Sequence, residues 1–226
     1  MSQPSNAAHL QAFANLLLTA SQSGCSDVHV RANAPPWGRR GGRLAPLGDG
    51  SVSSEAIAEF VQATAQRPVT GGSVEYSFDV GDRLRARCHA FRDADGWALA
   101  IRLVPPAVPG FADLRLPPVA KSFAEPRPGL LLITGPMGSG KSTTAAAVLT
   151  AMASREPVRL ITLEDPIEHR ITGPQACVSQ REIGRDAVNL EQGLHDVLRE
   201  DADVLFVGEI RTSNELEVAL HAADMG

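Results

Sequence analysis

Residues 130–144 have the sequence LLLITGPMGSGKSTT, in which an apolar run leads into a glycine-rich turn. A short continuous apolar run predicts a buried strand, here residues 130–134. The alanine-rich stretch that starts at Lys141 predicts a helix. Between them, residues 135–142 match the pattern G-x-x-x-x-G-K-S/T in the strand–turn–helix context that a phosphate-binding loop requires. This stretch predicts an α/β nucleotide-binding domain.

Each part of the loop has a chemical purpose. Gly138 and Gly140 let backbone N–H groups wrap around phosphates, and the N-terminus of the following helix adds partial positive charge. Lys141 is expected to neutralise the β- and γ-phosphates, and the Ser142 hydroxyl to ligate Mg²⁺. The alternative, a glycine-rich turn with an incidental lysine, is disfavoured by the flanking strand and helix. The nucleotide-binding residues are therefore predicted to be Gly135, Pro136, Met137, Gly138, Ser139, Gly140, Lys141, Ser142 and Thr143.

The composition excludes several other classes of protein. Apolar residues make up 43% of the 226 residues and charged residues 21%, which is typical of a globular chain. No apolar run approaches the ~20 residues of a transmembrane helix, and the N-terminus lacks the pattern of a secretory signal. The three cysteines are widely spaced and form no CxxC pair, which favours a reducing, cytoplasmic location. A net charge of −5 disfavours nucleic acid as a partner.

The hydrophobic pattern divides the chain into residues 1–104, a linker at 105–118 and residues 119–226. The first part predicts a small α+β domain, because two helical patterns accompany short alternating runs typical of strands. Its helices are predicted near residues 10–18 and 54–66, and its strands at 27–31, 74–80, 83–91 and 97–103, with a loop or ragged hairpin at 32–50. Five of the 16 prolines lie between residues 105 and 118, which marks a linker.

The third part continues the α/β pattern. Residues 159–163 and 204–207 are apolar runs of the kind found in parallel sheets. Helices are predicted near residues 190–198 and after Thr212, where Glu215 completes a capping box three residues later.

An acidic stretch follows the first of these two apolar runs. Glu164, Asp165 and Glu168 come directly after residues 159–163, and ligands of open α/β sheets bind at the carboxyl ends of strands. These carboxylates could hold Mg²⁺-bound water or orient an attacking water, and the alternative is a solvated acidic loop. We assign Glu164 and Asp165, with Ser142, to the metal.

A carboxylate also follows the last strand. A Walker B strand usually delivers an aspartate to the metal, but Gly208 stands at that position and Glu209 follows it. Glu209 is therefore predicted to be the base or water-orienting group rather than a direct metal ligand. Taken alone, it could equally be a helix-capping acid.

Six stretches in this order resemble one family: SDVH (26–29), TGPMGSGKSTT (134–144), ITLEDPIE (161–168), SQRE (179–182), LRED (198–201) and VGEIR (207–211). The chain is similar to the type II/type IV secretion ATPase superfamily, nearest its PilT-like pilus retraction branch. The resemblance implies a RecA-like P-loop ATPase domain preceded by a PAS-like domain. It also implies ATP and Mg²⁺ as cofactors, and catalytic roles for Glu168, in the family's Asp box, and for Glu209.

The resemblance has further implications for assembly and completeness. It implies a homo-hexameric ring, located in the cytoplasm and peripherally associated with the inner membrane through a pilus or secretion platform protein. It also implies a further strand just after residues 222–226. We therefore expect the chain to be a fragment or truncated product with an incomplete RecA-like sheet.

The predicted strand at residues 83–91 carries basic residues on one face. Arg83, Arg85, Arg87 and His89 alternate with apolar residues, and Arg102 lies on the next strand. The simpler interpretation is a solvated basic face. The alternative, suggested by the resemblance, is that Arg87 and Arg102 act as arginine fingers on the nucleotide of a neighbouring subunit.

Two hypotheses of function follow. The first is an ATP-hydrolysing motor subunit of a type IV pilus retraction or type II secretion-like machine. The second is a nucleotide-binding ring component or truncated regulator that does not hydrolyse ATP. A nucleic-acid translocase is disfavoured by the acidic balance of the chain and by its Asp box.

Overall fold

The computed structural model describes residues 6–66, 69, 72–105 and 107–224. The chain divides into two compact units, Met1–Pro106 and Ala107–Gly226. Pro106 of the predicted linker and the last two residues of the sequence lie outside the described residues.

The N-terminal unit contains two helices and one sheet. The helices are α1 (Asn6–Gln22) and α2 (Ser54–Thr64). The strands are β1 (Asp27–Arg31), β2 (Trp37–Arg40), β3 (Arg43–Pro46), β4 (Ser73–Val80), β5 (Leu84–Asp93) and β6 (Gly96–Val104). They form an antiparallel sheet in the order β3-β2-β1-β6-β5-β4. This arrangement is α+β, as the sequence predicts.

The core of this unit lies between the sheet and the two helices. The Phe13 ring of α1 stacks on the Phe60 ring of α2 with centroids 4.2 Å apart. Leu17 and Ile57 are fully buried beside them, and each such side chain contributes about 1.5–3 kcal/mol by leaving water. α2 begins where the Ser53 hydroxyl accepts a hydrogen bond from the N–H of Ala56, which satisfies one free donor of the first turn.

The turns of this sheet follow the glycines. Gly41 and Gly42 both have positive φ and connect β2 to β3, so the segment predicted as a loop or ragged hairpin is a regular hairpin. Gly96, at φ +127°, begins β6 immediately after the tight turn that follows Asp93, and this confirms the predicted hairpin.

The interpretation of β5 as carrying a solvated basic face is wrong at Arg85. Arg85 is only 3% exposed, and its Nη1 lies 2.6 Å from Oδ1 of Asp79 on the adjacent strand. The opposite charge on β4 compensates the guanidinium and so permits its burial. Alternation along β5 predicts the face but not the partner across the sheet.

The C-terminal unit begins with a 3-10 helix, Pro118–Ala124, and continues as an α/β arrangement. Its elements are α3 (Lys141–Ala153), β7 (Arg159–Glu164), β8 (Cys177–Glu182), α4 (Leu190–Val197), β9 (Val204–Val207) and α5 (Ser213–Asp224). The strands form a parallel sheet in the order β8-β7-β9, so β7 is central.

Helices cover both faces of β7. Leu160 packs with Leu149 and other residues of α3, whereas Ile161 and Leu163 pack with Leu194 of α4 on the opposite side. A strand buried on both faces has a continuous apolar sequence, which is why residues 159–163 are recognisable in advance. Among the described residues, no helix is both long enough and apolar enough to cross a membrane.

The predicted strand at residues 130–134 is absent. The three consecutive leucines Leu130, Leu131 and Leu132 are 46%, 47% and 61% exposed. No strand in the described part of the chain pairs with these residues. Apolar side chains provide a face to bury, but a strand also requires a neighbour that accepts and donates its backbone hydrogen bonds. The third strand of the sheet is instead β8, for which the polar sequence CVSQRE predicts no strand.

Candidate functional site

The glycine-rich loop leads directly into α3. Gly138 and Gly140 have φ values of +76° and +91°, a left-handed conformation that side chains disfavour. A Cβ at either position would meet nothing within 4 Å, so the loop backbone faces open space there. Gly140 is the N-cap of α3, and no side chain caps this helix end. The first N–H groups of α3 are therefore available to an anion, and the helix dipole favours negative charge at the same place.

Lys141 lies across this loop. Its Nζ donates hydrogen bonds to the carbonyl oxygens of Gly135, at 3.0 Å, and of Pro136, at 3.1 Å. The ammonium group is thus held at the loop that a phosphate would enter. Ser142 and Thr143 follow in the first turn of α3, and Met137 at the loop tip is fully exposed.

A second set of predicted residues meets at the carboxyl ends of β7 and β9. Glu164, Asp165, Glu209 and Arg211 line one pocket of about 170 Å³. The remaining lining residues are Leu163, Ile183, Asn189, Leu190 and Glu215. The two strands are parallel neighbours, so their carboxyl ends lie at the same edge of the sheet. The structure therefore brings together the predicted metal-binding carboxylates and the predicted base.

Arg211 joins the two strand ends electrostatically. Its Nη2 donates to Oε1 of Glu209, and its Nη1 lies 3.8 Å from Oδ2 of Asp165. The hydrogen bond to Glu209, followed by the charge of that residue, raises the pKa of Arg211. The guanidinium thus offsets part of the negative charge in the pocket.

Glu164 is held from two sides. The Thr162 hydroxyl donates to its Oε1 at 2.7 Å, and Nε2 of Gln180 donates to the same oxygen at 3.0 Å. The side chain is buried, so these hydrogen bonds are needed to compensate the carboxylate for lost water. Its orientation is consequently fixed.

Gly208 has a packing reason to lack a side chain. A Cβ at this position would lie 3.3 Å from Cα and 3.5 Å from Cγ of Glu164. Its backbone N–H donates to the carbonyl oxygen of Leu163 at 2.8 Å, so the two strands converge here. An aspartate in this place would bring a second carboxylate against Glu164. This close approach leaves little room for the usual Walker B aspartate.

Helix α5 begins with the predicted capping box. The N–H of Glu215 donates to the Thr212 hydroxyl at 3.3 Å, and the carboxylate of Glu215 accepts from the N–H of Thr212 at 3.0 Å. The Glu215 carboxylate also accepts from the N–H of Arg211 at 2.8 Å, and this hydrogen bond is the main reason that the pKa of Glu215 is lowered. The cap thereby positions the backbone that carries Arg211.

The other predicted catalytic residues lie elsewhere. Glu168 is half-buried and does not line the pocket. Arg87 and Arg102 belong to the N-terminal unit, where they lie directly opposite each other on β5 and β6. Arg87 lies 3.7 Å from a carboxylate oxygen of Glu75, and Nε of Arg102 donates to Oδ1 of Asp27 at 3.2 Å. Cross-strand neighbours lie on the same face of a sheet, so both arginine side chains project from the same face of the N-terminal sheet.

Sequence reasoning overlooked two contributors to the site. Asn189 lines the pocket and caps α4, because its Oδ1 accepts from the N–H of Gln192 at 2.8 Å. The stretch from Asn189 to Gln192 has the spacing of a helix N-terminus and could have predicted this cap. Gln180 contacts Glu164 although it is 16 residues away, and no local pattern predicts such a contact.

The residues present fit a magnesium nucleotide. Mg²⁺ in nucleotide sites takes one or two carboxylates or hydroxyls together with phosphates and water, rather than an all-protein cage. The described residues contain no group of three or more His, Cys, Asp or Glu side chains arranged to hold a metal ion. The uncapped start of α3 and Lys141 suit phosphate, and the pocket carboxylates suit Mg²⁺. Neither Lys141 nor the predicted metal ligand Ser142 lines that pocket.

The sequence model of one family, described as type II/IV secretion system protein, matches residues 107–226. The chain belongs to this family. The resemblance noted in the sequence is thereby confirmed, and the match covers all the described residues of the C-terminal unit.

Relatives of the type II/IV secretion family match both units. The type IV pilus retraction ATPase PilT of Pseudomonas aeruginosa is 35% identical over 218 residues, covering 93% of this chain and 63% of that protein. The uncharacterized protein YggR of Escherichia coli is 35% identical over 205 residues, covering 89% of this chain and 62% of that protein. The chain thus spans about three-fifths of the length of these relatives.

A solved structure of the family has the same fold. The crystal structure of the pilus retraction motor PilT with bound ADP superposes with a TM-score of 0.84 at 33% identity. It covers 94% of this chain, and the chain covers 64% of it. The C-terminal unit is therefore an α/β ATPase-family domain.

Proposed function

We propose that this chain belongs to an ATP-hydrolysing motor subunit of a type IV pilus retraction or type II secretion-like machine. The main support is the pocket in which Glu164, Asp165 and Glu209 meet at the ends of adjacent parallel strands, in a chain whose glycine-rich loop opens α3. A relative named as a pilus retraction ATPase and a solved retraction motor that binds ADP support the choice of nucleotide and machine.

The chemistry assigns one task to each group. Residues 135–143 would hold the phosphates through the loop backbone and the start of α3, and Lys141 would turn from the loop carbonyls towards phosphate oxygens. Ser142, Glu164 and Asp165 would hold Mg²⁺. When bound, the metal supplies positive charge to the phosphate oxygens.

Glu209 is proposed as the general base that orients and deprotonates the attacking water. Its carboxylate is half-exposed at the pocket and accepts a hydrogen bond from Arg211, which orients it. Glu168, which follows in the same acidic segment, is proposed to assist catalysis by holding Mg²⁺-bound water or by orienting the attacking water. Neither role requires a covalent intermediate.

The subunit is proposed to act in an assembly of identical chains. The C-terminal unit is proposed to be RecA-like and the N-terminal unit PAS-like, in a homo-hexameric ring. Arg87 and Arg102 would reach the nucleotide of a neighbouring subunit. The ring is proposed to work in the cytoplasm against a platform protein of the inner membrane, with no nucleic acid as partner.

The deciding experiment compares Glu209→Gln with wild type in the intact protein. We expect ATP turnover to fall by roughly 10²-fold or more, as for loss of a general base, while ATP binding is retained. Glu217→Gln, which removes an exposed carboxylate of α5, is the matched control and should keep turnover. Wild-type protein that binds ATP without hydrolysing it would instead establish the non-hydrolysing ring component.

A further inference from the structure

Two side chains of β8 hold the acidic segment that follows β7. Gln180 and Glu182 are two residues apart on a strand, so they project from the same face. Oε2 of Glu182 accepts from the N–H of Ile167 at 3.2 Å. Oε1 of Gln180 accepts from the N–H of Ile171 at 2.9 Å, and its Nε2 donates to the carbonyl oxygen of His169 at 2.9 Å. The two side chains therefore bond backbone N–H and C=O groups of residues 167–171, as a neighbouring strand would in a sheet.

Gln180 also contacts a residue that lines the pocket. Its Nε2 donates to Oε1 of Glu164 at 3.0 Å as well as to His169. The opposite orientation of the amide would place its carbonyl oxygen against the Glu164 carboxylate and its NH₂ against the N–H of Ile171. The network therefore specifies the orientation of the amide. A single side chain thus ties a pocket carboxylate to the segment that follows it.

The burial of Glu182 indicates more than loop packing. The residue is 0% exposed, and its Oε1 has no hydrogen-bond partner among the described residues. An unpaired buried carboxylate oxygen lowers the free energy of unfolding, and local costs of this kind concentrate at functional sites. Ile183, the next residue, lines the pocket, and its N–H donates to the carbonyl oxygen of Glu164 at 2.8 Å. The end of β8 is therefore hydrogen-bonded to the acidic segment.

We propose that Gln180 and Glu182 are positioning residues that set the geometry of Glu164 and Asp165 towards the magnesium nucleotide. The inference rests on the proposed function, because it concerns how the acidic segment meets that ligand. Neither residue needs to touch the nucleotide. Their effect passes through the backbone of residues 165–171 and through Glu164.

The test uses two changes at Gln180 and one control. Gln180→Glu keeps the shape but replaces the donor to Glu164 with a second carboxylate, and Gln180→Leu removes all three hydrogen bonds without adding charge. Gln175→Glu makes the same charge change on an exposed side chain of the loop before β8. For each intact protein, kcat, KM for ATP, the melting temperature and amide hydrogen exchange of residues 165–171 are measured. The affinity for a fluorescent ADP analogue is measured with and without Mg²⁺.

We expect kcat of Gln180→Glu to fall by roughly 10- to 100-fold, the loss typical of a misplaced reacting group, with little change in KM. Gln180→Leu should show a smaller loss in the same direction, and it carries the test if Gln180→Glu does not fold. Both should exchange the amides of residues 165–171 faster than wild type, and Gln175→Glu should match wild type throughout.

If wild-type protein hydrolyses ATP, either of two results overturns the inference. Unchanged exchange in residues 165–171 for both Gln180 variants would show that the side chain does not hold the segment. Faster exchange with unchanged kcat would show that the segment's position does not matter to the reaction. If wild-type protein has no ATP turnover, the proposed function fails separately. The inference then stands only if the Gln180 variants weaken the enhancement of ADP-analogue binding by Mg²⁺, and is rejected if that enhancement is unchanged.

Discussion

Nη1 of Arg211 lies 3.8 Å from Oδ2 of Asp165, which places a cation between the carboxyl ends of two parallel strands. The same guanidinium donates to Glu209, so one charge serves two pocket carboxylates. A cation at this position offsets part of the negative charge that a metal ion would otherwise neutralise. The pocket is thereby partly neutralised from within the chain.

The first prediction concerns this arginine. Arg211→Gln leaves Asp165 and Glu209 without their shared cation, so millimolar Mg²⁺ should raise the melting temperature of the variant more than that of wild type. Without Mg²⁺ the loss of stability should be about 1 kcal/mol or less, because exposed ion pairs are screened by water. Arg199→Gln, at an exposed position after α4, is the control. An equal Mg²⁺ shift in wild type and Arg211→Gln would contradict the prediction.

The second prediction concerns the glycine-rich loop. Mg-ATP or Mg-ADP should raise the melting temperature of wild type, because ligand binds only the native state. Lys141→Ala should remove most of this shift, since its Nζ is proposed to supply the charge that faces the phosphates. The only other lysine, Lys121, lies in the 3-10 helix, and Lys121→Ala should keep the full shift. A full shift in Lys141→Ala would exclude the loop as the phosphate site.

The third prediction concerns the convergence of β7 and β9. Gly208→Ala should reduce the free energy of unfolding by about 1–3 kcal/mol, the usual effect of overpacking, because the new Cβ would lie 3.3 Å from Cα of Glu164. Gly208→Asp should reduce the free energy of unfolding further, since it adds a carboxylate beside Glu164. Gly110→Ala in the same unit has only an ordinary 3.5 Å contact and is the matched control for urea denaturation. Equal stability of the two alanine variants would refute the packing explanation.

The fourth prediction concerns pH. Hydrogen bonds from Arg185, opposed in part by burial, lower the pKa of Asp186 below its ordinary 3.8. A lowered pKa in the folded state means that the stabilisation is complete above the unfolded-state value and is lost as pH falls through the folded-state value. Asp186→Asn should therefore be less stable than wild type at pH 7, by about 1 kcal/mol or less. The difference should shrink as the pH falls below about 4.

Urea denaturation over a pH series measures this difference. Asp201→Asn provides the baseline for replacing an exposed aspartate in the same unit. A difference between Asp186→Asn and wild type that stays constant down to pH 2 would contradict the assigned cause.

The fifth prediction concerns the paired arginines of the N-terminal sheet. If Arg87 and Arg102 complete a neighbouring site, alanine at either position should reduce turnover by roughly 10³-fold or more, the effect of losing an arginine finger. Mixing with Glu209→Gln subunits should restore part of the activity, because each chain supplies what the other lacks. Arg31→Ala changes an exposed arginine on the same face and should keep turnover. Normal activity in the Arg87 and Arg102 variants would favour a solvated basic face.

Local patterns were sufficient for much of the fold. The helical spacing of Phe13 and Leu17, the glycine at the start of β6 and the capping box of Thr212 and Glu215 each act within a few residues, and each forms as predicted. Residues 130–134 and β8 were assigned wrongly or overlooked, because a strand exists only where another strand pairs with it. The apolar run has no such neighbour in the described residues, whereas the polar stretch CVSQRE lies beside β7.

The sequence by itself determined the glycine-rich loop, the central strand β7 and the acidic residues after it, because these depend on backbone freedom, continuous hydrophobicity and adjacent charge. Only the tertiary structure decided that Oε1 of Glu164 accepts hydrogen bonds from both Thr162 and Gln180. It also decided that Gly208 lies close against Glu164 and that Arg85 is buried against Asp79. Apart from the contact between Thr162 and Glu164 within β7, these relationships join residues of different strands or strand ends. Their distances are set by strand order and register, which no single stretch of sequence encodes.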